Sequence, residues 1–160
     1  MRFSLIDRIV DLQPGKTITA VKCVSLAEEY LQDHFPRFPV LPGVMMLEAM
    51  TQASAWLIRA GEDFAHSMVT LQEARNVKYS DFVAPGSMLT VTADLMKQDE
   101  RYCSLKTKGT IDGRTAVSAR LTLERFNLAE TQPDMACADE IVVQEMKKLY
   151  TTLRPASVAS

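Results

Sequence analysis

The sequence predicts an α+β fold in which one large antiparallel sheet wraps around a single central helix. Three observations carry this. Gly43 to Ala60 is the one strong helical segment, and Met45, Met46, Leu47, Met50, Trp56, Leu57 and Ile58 spread round much of its circumference. A helix that is apolar on most sides is covered on most sides. The segments that follow alternate apolar and polar residues with a period of two. Between two of these segments, Asp112-Gly113 marks a tight hairpin. One apolar helix and one large sheet then have to bury each other.

Taken in order, Phe3 to Leu12 is rich in Ile, Val, Leu and Phe and reads as a strand, Pro14-Gly15 as a turn, and Thr17 to Val24 as a second strand. Ser25-Leu26-Ala27-Glu28 has the form of a capping box, which predicts a short helical turn to about Gln32. A stiff loop with Pro36, Pro39 and Pro42 leads into the central helix, and Gly61 is a natural stop for it. Ser67 to Tyr79, Met88 to Met96, Tyr102 to Ile111 and Thr115 to Phe126 read as long strands, with a turn at Val83-Ala84-Pro85-Gly86. Residues 1–126 therefore form one domain and 127–160 a C-terminal extension. In that extension Glu140 to Leu153 reads as an amphipathic helix with Val142, Met146, Leu149 and Leu153 on one face, and Arg154 to Ser160 as a frayed end. The favoured role for this helix is to cover apolar surface of its own protein, and the alternative is to bind a partner.

Composition narrows the function classes. Of 160 residues, 47% are hydrophobic and 24% charged, and the net charge is −2, so no overall basic field points to nucleic acid. Cys23, Cys103 and Cys137 are odd in number and widely spaced, with neither zinc-ligand nor disulfide-framework spacing; reduced thiols in the cytoplasm fit best. Cys23 and Cys103 fall in strand segments and are expected to pack in the core. MRFSLIDRIV has no signal-peptide core, and no apolar stretch reaches the length of a membrane span.

The chemistry concentrates in DHFPRFPVLPGVMMLE, residues 33–48. His34 lies in a loop whose prolines fix φ and remove backbone donors. A loop histidine commonly does no more than bond nearby backbone, yet a stiff loop also holds a reactive side chain in place. Glu48 sits among Met45, Met46, Leu47, Ala49 and Met50 with no lysine or arginine within a helical turn. Favourable interaction with the helix dipole is the simple reading, and general acid work the sharper one. Gln52, four residues on, shares its face and can bond the carboxylate. Pro42-Gly43 opens the helix, so the Gly43 and Val44 N–H groups are free first-turn donors, and Gly43 has no Cβ to keep a substrate away. A base, an acid and an oxyanion-type donor suit proton removal beside a carbonyl with protonation of a leaving group, without metal or nucleophile. No Gly-x-Ser-x-Gly is present to support acyl transfer through serine.

HFPRFPVLPGVMMLEAMTQ resembles the signature of the 3-hydroxyacyl-[acyl-carrier-protein] dehydratases: His-Phe-Pro, a further Pro, Pro-Gly, then Leu-Glu-Ala-x-x-Gln. The spacing of fourteen residues from His34 to Glu48 agrees, as does Gly43 nine residues after the histidine. VKCVSLAEEYLQDHFP, VAPGSMLTVTADL and DGRTAVSARLTLER are similar to the family too, so the resemblance covers about residues 5–125. It implies a hotdog fold and a homodimer, and leaves open whether dimers stack further as a trimer of dimers. It implies that His34 removes the α-proton of a 3-hydroxyacyl thioester, that Glu48 of the partner chain helps expel the 3-hydroxyl as water, and that the Gly43 N–H holds the thioester carbonyl. Phe35, Met45, Met46 and Trp56 are candidates for an acyl tunnel and equally for the core. No cofactor is implied, and the substrate is carried on acyl carrier protein or coenzyme A. Glutamate at position 48 resembles the branch that dehydrates without isomerising.

The chain departs from the family pattern in places. Asp33 and Arg37 stand where glycines are common. Val77-Lys78-Tyr79-Ser80-Asp81-Phe82-Val83 replaces a Phe-Arg-Arg-Pro-Val-like segment, which leaves Arg37, Arg75 and Lys78 as candidates for a basic carrier-protein dock. The segment before the first strand is short, and the tail beyond Phe126 long. Two alternatives stand beside the dehydratase: a hotdog acyl thioesterase, which has no need of the His-Phe-Pro loop, and a non-catalytic acyl-binding or assembly subunit.

Overall fold

The computed structural model describes residues 3–155. Strands β1 (Arg8–Gln13), β2 (Thr17–Cys23), β3 (Met68–Tyr79), β4 (Met88–Gln98), β5 (Tyr102–Ile111) and β6 (Arg114–Phe126) form one antiparallel sheet in the order β1-β2-β4-β5-β6-β3. Helix α1 (Tyr30–Asp33) is a single turn, α2 (Gly43–Gly61) is the central helix and α3 (Ala136–Leu153) follows the sheet. The sheet wraps α2, the arrangement that the hotdog resemblance implies. Among the described residues no helix is long and apolar enough to cross a membrane.

The turns follow local chemistry. Asp112 and Gly113 both have positive φ, +48° and +78°, as a two-residue type I′ hairpin requires. Pro85-Gly86 makes a type II turn, with Gly86 at φ +87° and the Ser87 N–H on the Ala84 carbonyl at 3.1 Å. Within the sheet, Ala49, Met50, Ala53 and Leu57 of α2 are wholly buried in one core with Ile18, Leu89, Val91, Leu105, Leu121 and Leu123. Each leucine of this set contributes roughly 1.5–3 kcal/mol through burial, so the helix is held rigidly along its length.

Four expectations change. The first strand starts at Arg8, not Phe3. Leu5 and Ile6 are buried and the Asp7 N–H still pairs with the Val21 carbonyl at 2.9 Å, but the Leu5 N–H donates to the Gln52 side chain at 2.8 Å and the Asp7 side chain accepts the Cys23 N–H at 2.6 Å, so the backbone ladder does not run back to Phe3. Ser25 does not open a capping box, because Glu28 turns instead to the buried Lys22 ammonium at 2.7 Å and the helical turn begins at Tyr30. Cys23 is exposed and Lys22 buried, the reverse of the expected alternation, while Cys103 is in the core as expected. Arg125, nearly buried, meets Glu62 at 2.8 Å, the Cys103 sulfur at 3.0 Å and the Asp99 carbonyl, and so ties the end of α2 to the β4–β5 turn. Burial pushes the Cys103 thiol up, with the facing Arg125 charge opposing it.

The fourth change concerns α3, which begins at Ala136, before Glu140, and packs through Val143 rather than Val142, with Met146, Leu149, Tyr150 and Leu153. Asp139 anchors it. The Asp139 carboxylate accepts the Ser67 hydroxyl, the Leu128 N–H at 2.9 Å and the Ala129 N–H at 2.9 Å. Burial pushes this carboxyl up, but the three donors together outweigh it and hold the group below the usual carboxylate range. Tyr150 then packs on Trp56 of α2, with ring centres 6.1 Å apart, and edge-on against Phe64 at 5.5 Å. The frayed end expected over residues 154–160 lies outside the described residues from 156 onward.

Candidate active site

His34 caps the C-terminal end of α1, with its N–H on the Tyr30 carbonyl at 3.2 Å and its side chain half-buried. Phe35 follows at φ +50°, a strained conformation for a bulky aromatic residue, and the Phe38 N–H closes the turn onto the Phe35 carbonyl at 2.7 Å. The Phe35 ring is mostly exposed and stands edge-on to the imidazole, 4.6 Å between centres, so Phe35 is not a core residue. Strain of this kind persists only where the surroundings fix it. Here the Leu41 N–H bonds the Val83 carbonyl at 2.8 Å, and Phe38 meets Phe82 edge-on at 5.5 Å. The proline loop is thereby fastened to the β3–β4 connection.

At the start of α2 the Pro42 carbonyl accepts the N–H groups of Met45 and Met46 at 2.9 and 3.1 Å. The Gly43 and Val44 amides have no acceptor among the described residues, as first-turn donors should. The Tyr79 ring lies against Gly43: a Cβ on residue 43 would come within 2.9 Å of it. Sequence reasoning missed Tyr79 as a site neighbour. The altered Val77–Val83 segment is the one signal that marks its vicinity.

Glu48 is half-buried rather than buried, and its Oε1 accepts the Gln52 Nε2–H at 3.0 Å. Gln52 also donates to the Phe3 carbonyl at 3.1 Å and accepts the Leu5 N–H. The acid is thus linked through one amide to the chain's N-terminal stretch. Within one chain His34 and Glu48 share no hydrogen bond or ion pair among the described residues. Met46 and Trp56 are buried and Met45 half-buried. Trp56 also lines a cavity of about 350 Å³ between α2, α3 and the start of β3, together with Gln52.

The geometry gives three local units: a stiffly held imidazole, two free amides at a helix N-terminus, and a carboxyl group oriented by a neighbouring amide. Comparison with known proteins gives the family. A family model described as a FabA-like domain matches residues 1–120. The 3-hydroxyacyl-[acyl-carrier-protein] dehydratase FabZ of Ruminiclostridium cellulolyticum is 33% identical over 119 residues, 74% of this chain and 84% of the relative. The FabZ of Lactococcus lactis subsp. cremoris is 36% identical over 120 residues, 75% of this chain and 83% of the relative. Among solved structures, the dehydratase heterocomplex ApeI:P from Xenorhabdus doucetiae superposes with a TM-score of 0.67 at 23% identity, covering 83% of this chain and 90% of that one, which speaks for the fold. By the matched residues and the identity to these relatives, the chain belongs to the FabA-like family of hotdog-fold dehydratases.

Proposed function

We propose that the chain dehydrates 3-hydroxyacyl thioesters borne on acyl carrier protein to trans-2-enoyl thioesters, in fatty acid or related lipid synthesis in the cytoplasm, and does so as a homodimer. The observation that carries this reading is the start of α2, where the unpaired Gly43 and Val44 amides stand in a backbone fastened to the His34 loop through Leu41 and Val83. A thioester oxygen on those amides gains negative charge as the α-proton leaves, and preorganised donors stabilise that charge. His34 takes the α-proton. The α-carbon's electron pair forms the new double bond, and the C3–O bond breaks as Glu48 delivers a proton to the departing hydroxyl. Water leaves, and the proton on His34 returns to the carboxylate through solvent, so the cycle balances with proton transfer alone.

A shared site explains why His34 and Glu48 do not pair within one chain: each imidazole works with the carboxyl group of a second copy. β3 supports the dimer. It is a long edge strand whose outer side has no neighbour among the described residues, and it carries the exposed Leu71 and Tyr79. Such an edge is a template for pairing with another strand. Phe35, Phe38, Val44 and Phe82 add exposed apolar surface. Carrier-protein recognition draws support from a row of cations in register across three strands, Arg75 opposite Arg120 opposite Lys106.

The test is turnover of 3-hydroxyacyl thioesters followed by enoyl absorbance and by mass. The expected product is the trans-2-enoyl thioester alone, with no shifted double bond. Release of free acid, or no turnover by the folded dimer, refutes the reading. His34→Ala and Glu48→Gln are each expected to lose about 10²–10⁴-fold in turnover. Refolding the two dead variants together gives half heterodimers, each with one intact site, and so returns about a quarter of the native rate if sites span subunits. Absence of any recovery places both groups in one chain.

A further inference from the structure

We propose that α3 is the end wall of the acyl-binding pocket and sets the longest chain that the enzyme accepts, with Met146 and Leu149 as the specificity-determining residues. The proposal rests on the dehydratase reading and adds to it an upper limit on substrate length.

The cavity of about 350 Å³ is the starting point. Gln52 lines it and at the same time bonds Glu48 at 3.0 Å, so cavity and acid share one side chain. Along α2 the cavity follows one stripe from Gln52 through Trp56 to Arg59. That stripe is about 10 Å long at the rise of an α-helix. Val69 of β3 and Glu145, Met146 and Leu149 of α3 line it as well. Its volume is within the range of small-molecule sites, and its lining is mainly apolar with a few polar groups, as such sites are. An aliphatic tail attached to a thioester that reacts beside Glu48 is the occupant whose chemistry suits that lining.

The wall lies beyond the family match. The FabA-like match ends at residue 120, and α3 begins at Ala136. The helix is also held too firmly to be an incidental cover. Asp139 fixes its first turn on Ser67, Leu128 and Ala129, and Tyr150 seats its last turns on Trp56 and Phe64. Beyond the apolar part, Arg59 spends one guanidinium nitrogen on the His66 and Ser67 carbonyls at 3.1 and 2.9 Å. A tail that reaches this far meets fixed polar groups and gains no further apolar burial.

The experiment measures kcat/KM over a series of saturated 3-hydroxyacyl thioesters of increasing length, for the native protein, for Met146→Ala/Leu149→Ala and for Met146→Trp. The native profile is expected to rise and then fall sharply. The double alanine variant should raise the long-to-short ratio by about tenfold or more, and the tryptophan variant should move the fall to shorter chains. Identical length profiles in all three overturn the proposal. The same series is measured by calorimetric binding to His34→Ala, with and without the wall substitutions. A binding profile that shifts with the wall while the native protein forms no enoyl supports the wall and refutes the reaction. Enoyl formation with unshifted profiles does the opposite.

Discussion

Gln52 holds Glu48 from one turn further along α2, with its Nε2 3.0 Å from Glu48 Oε1, while its own Oε1 accepts the Leu5 N–H at 2.8 Å. The amide is therefore oriented from both ends: the backbone N–H at one end requires an oxygen there, which leaves the NH₂ group for the carboxylate. The position of the acid depends on a segment 43 residues earlier in the chain, at Leu5. Gln52→Ala is expected to lower kcat by about ten- to a hundredfold through loss of orientation, with KM little changed. It should cost about 1 kcal/mol of stability for the Leu5 amide it leaves unpaired. Steady-state kinetics and a denaturant melt separate the two. An unchanged kcat beside the stability loss would leave Gln52 a packing residue only.

Gly43 carries a steric demand from Tyr79. A Cβ at residue 43 would lie 2.9 Å from Tyr79 Cε1 and 3.1 Å from Cδ1. Gly43→Ala is expected to destabilise by about 1–3 kcal/mol, because the ring must shift and with it the end of β3. Adding Tyr79→Ala should return most of the lost melting temperature, the sign of direct coupling between the two positions. Turnover should stay low in the double variant, because the new methyl group still stands in front of the amides. Independent, additive losses in melting temperature would show that the contact is not the cause.

These two relationships also mark how far the sequence alone reaches. The α2 pattern, the Asp112-Gly113 hairpin and the alternation of β4, β5 and β6 are local, and each is readable from a window of a dozen residues. Gln52 beside Glu48 is legible for the same reason, being one helical turn away. The contact of Tyr79 with Gly43 joins residues 36 apart, and that of Asp139 with Ser67 joins residues 72 apart. No local period encodes either. Where the local signal misled, a tertiary partner had taken over: Glu28 leaves the Ser25 box for Lys22, and the Phe3 carbonyl and Leu5 N–H leave the strand for Gln52. A capping box does exist, at Asn127 and Glu130, where asparagine replaces the serine or threonine of the usual pattern.

The cation row across β3, β6 and β5 is a second place to test. Arg75, Arg120 and Lys106 are exposed and directly opposed, an arrangement that costs stability in a sheet unless an acidic partner compensates it. Arg75 has a carboxylate beside it, Glu73 at 2.8 Å, and Lys106 faces Asp94 across β4, so Arg120 is the cation of the row with a like charge on both sides. Arg120→Glu with Lys106→Glu should raise KM for carrier-borne substrate by about tenfold and blunt its salt dependence, while a pantetheine thioester is turned over as before. The same charge reversal at Arg120 should stabilise the free protein by roughly 0.2–1 kcal/mol, since it converts opposed like charges into pairs. An equal loss on both substrates would mean that the row serves the fold and not the carrier.

The Asp139 anchor predicts a pH response of α3. Its folded-state carboxyl lies below the ordinary value of about 3.9, with burial opposing and the Ser67 hydroxyl and the Leu128 and Ala129 amides prevailing. The unfolded or undocked carboxyl therefore binds protons first as pH falls. The contribution of the anchor to docking is complete above that ordinary value and is lost as pH drops through the lower folded one. Trp56 reports the event, because it is the only tryptophan of the chain and Tyr150 of α3 covers it. Its emission should shift to the red on acidification ahead of the main unfolding transition, and Asp139→Ala should show that shift already at neutral pH. Asp139→Asn keeps an acceptor for one donor but loses the charge that suits all three, so it should fall between the two. If the tryptophan signal follows global unfolding at every pH, and in the alanine variant as well, then α3 is part of the cooperative core and Asp139 does not control its docking.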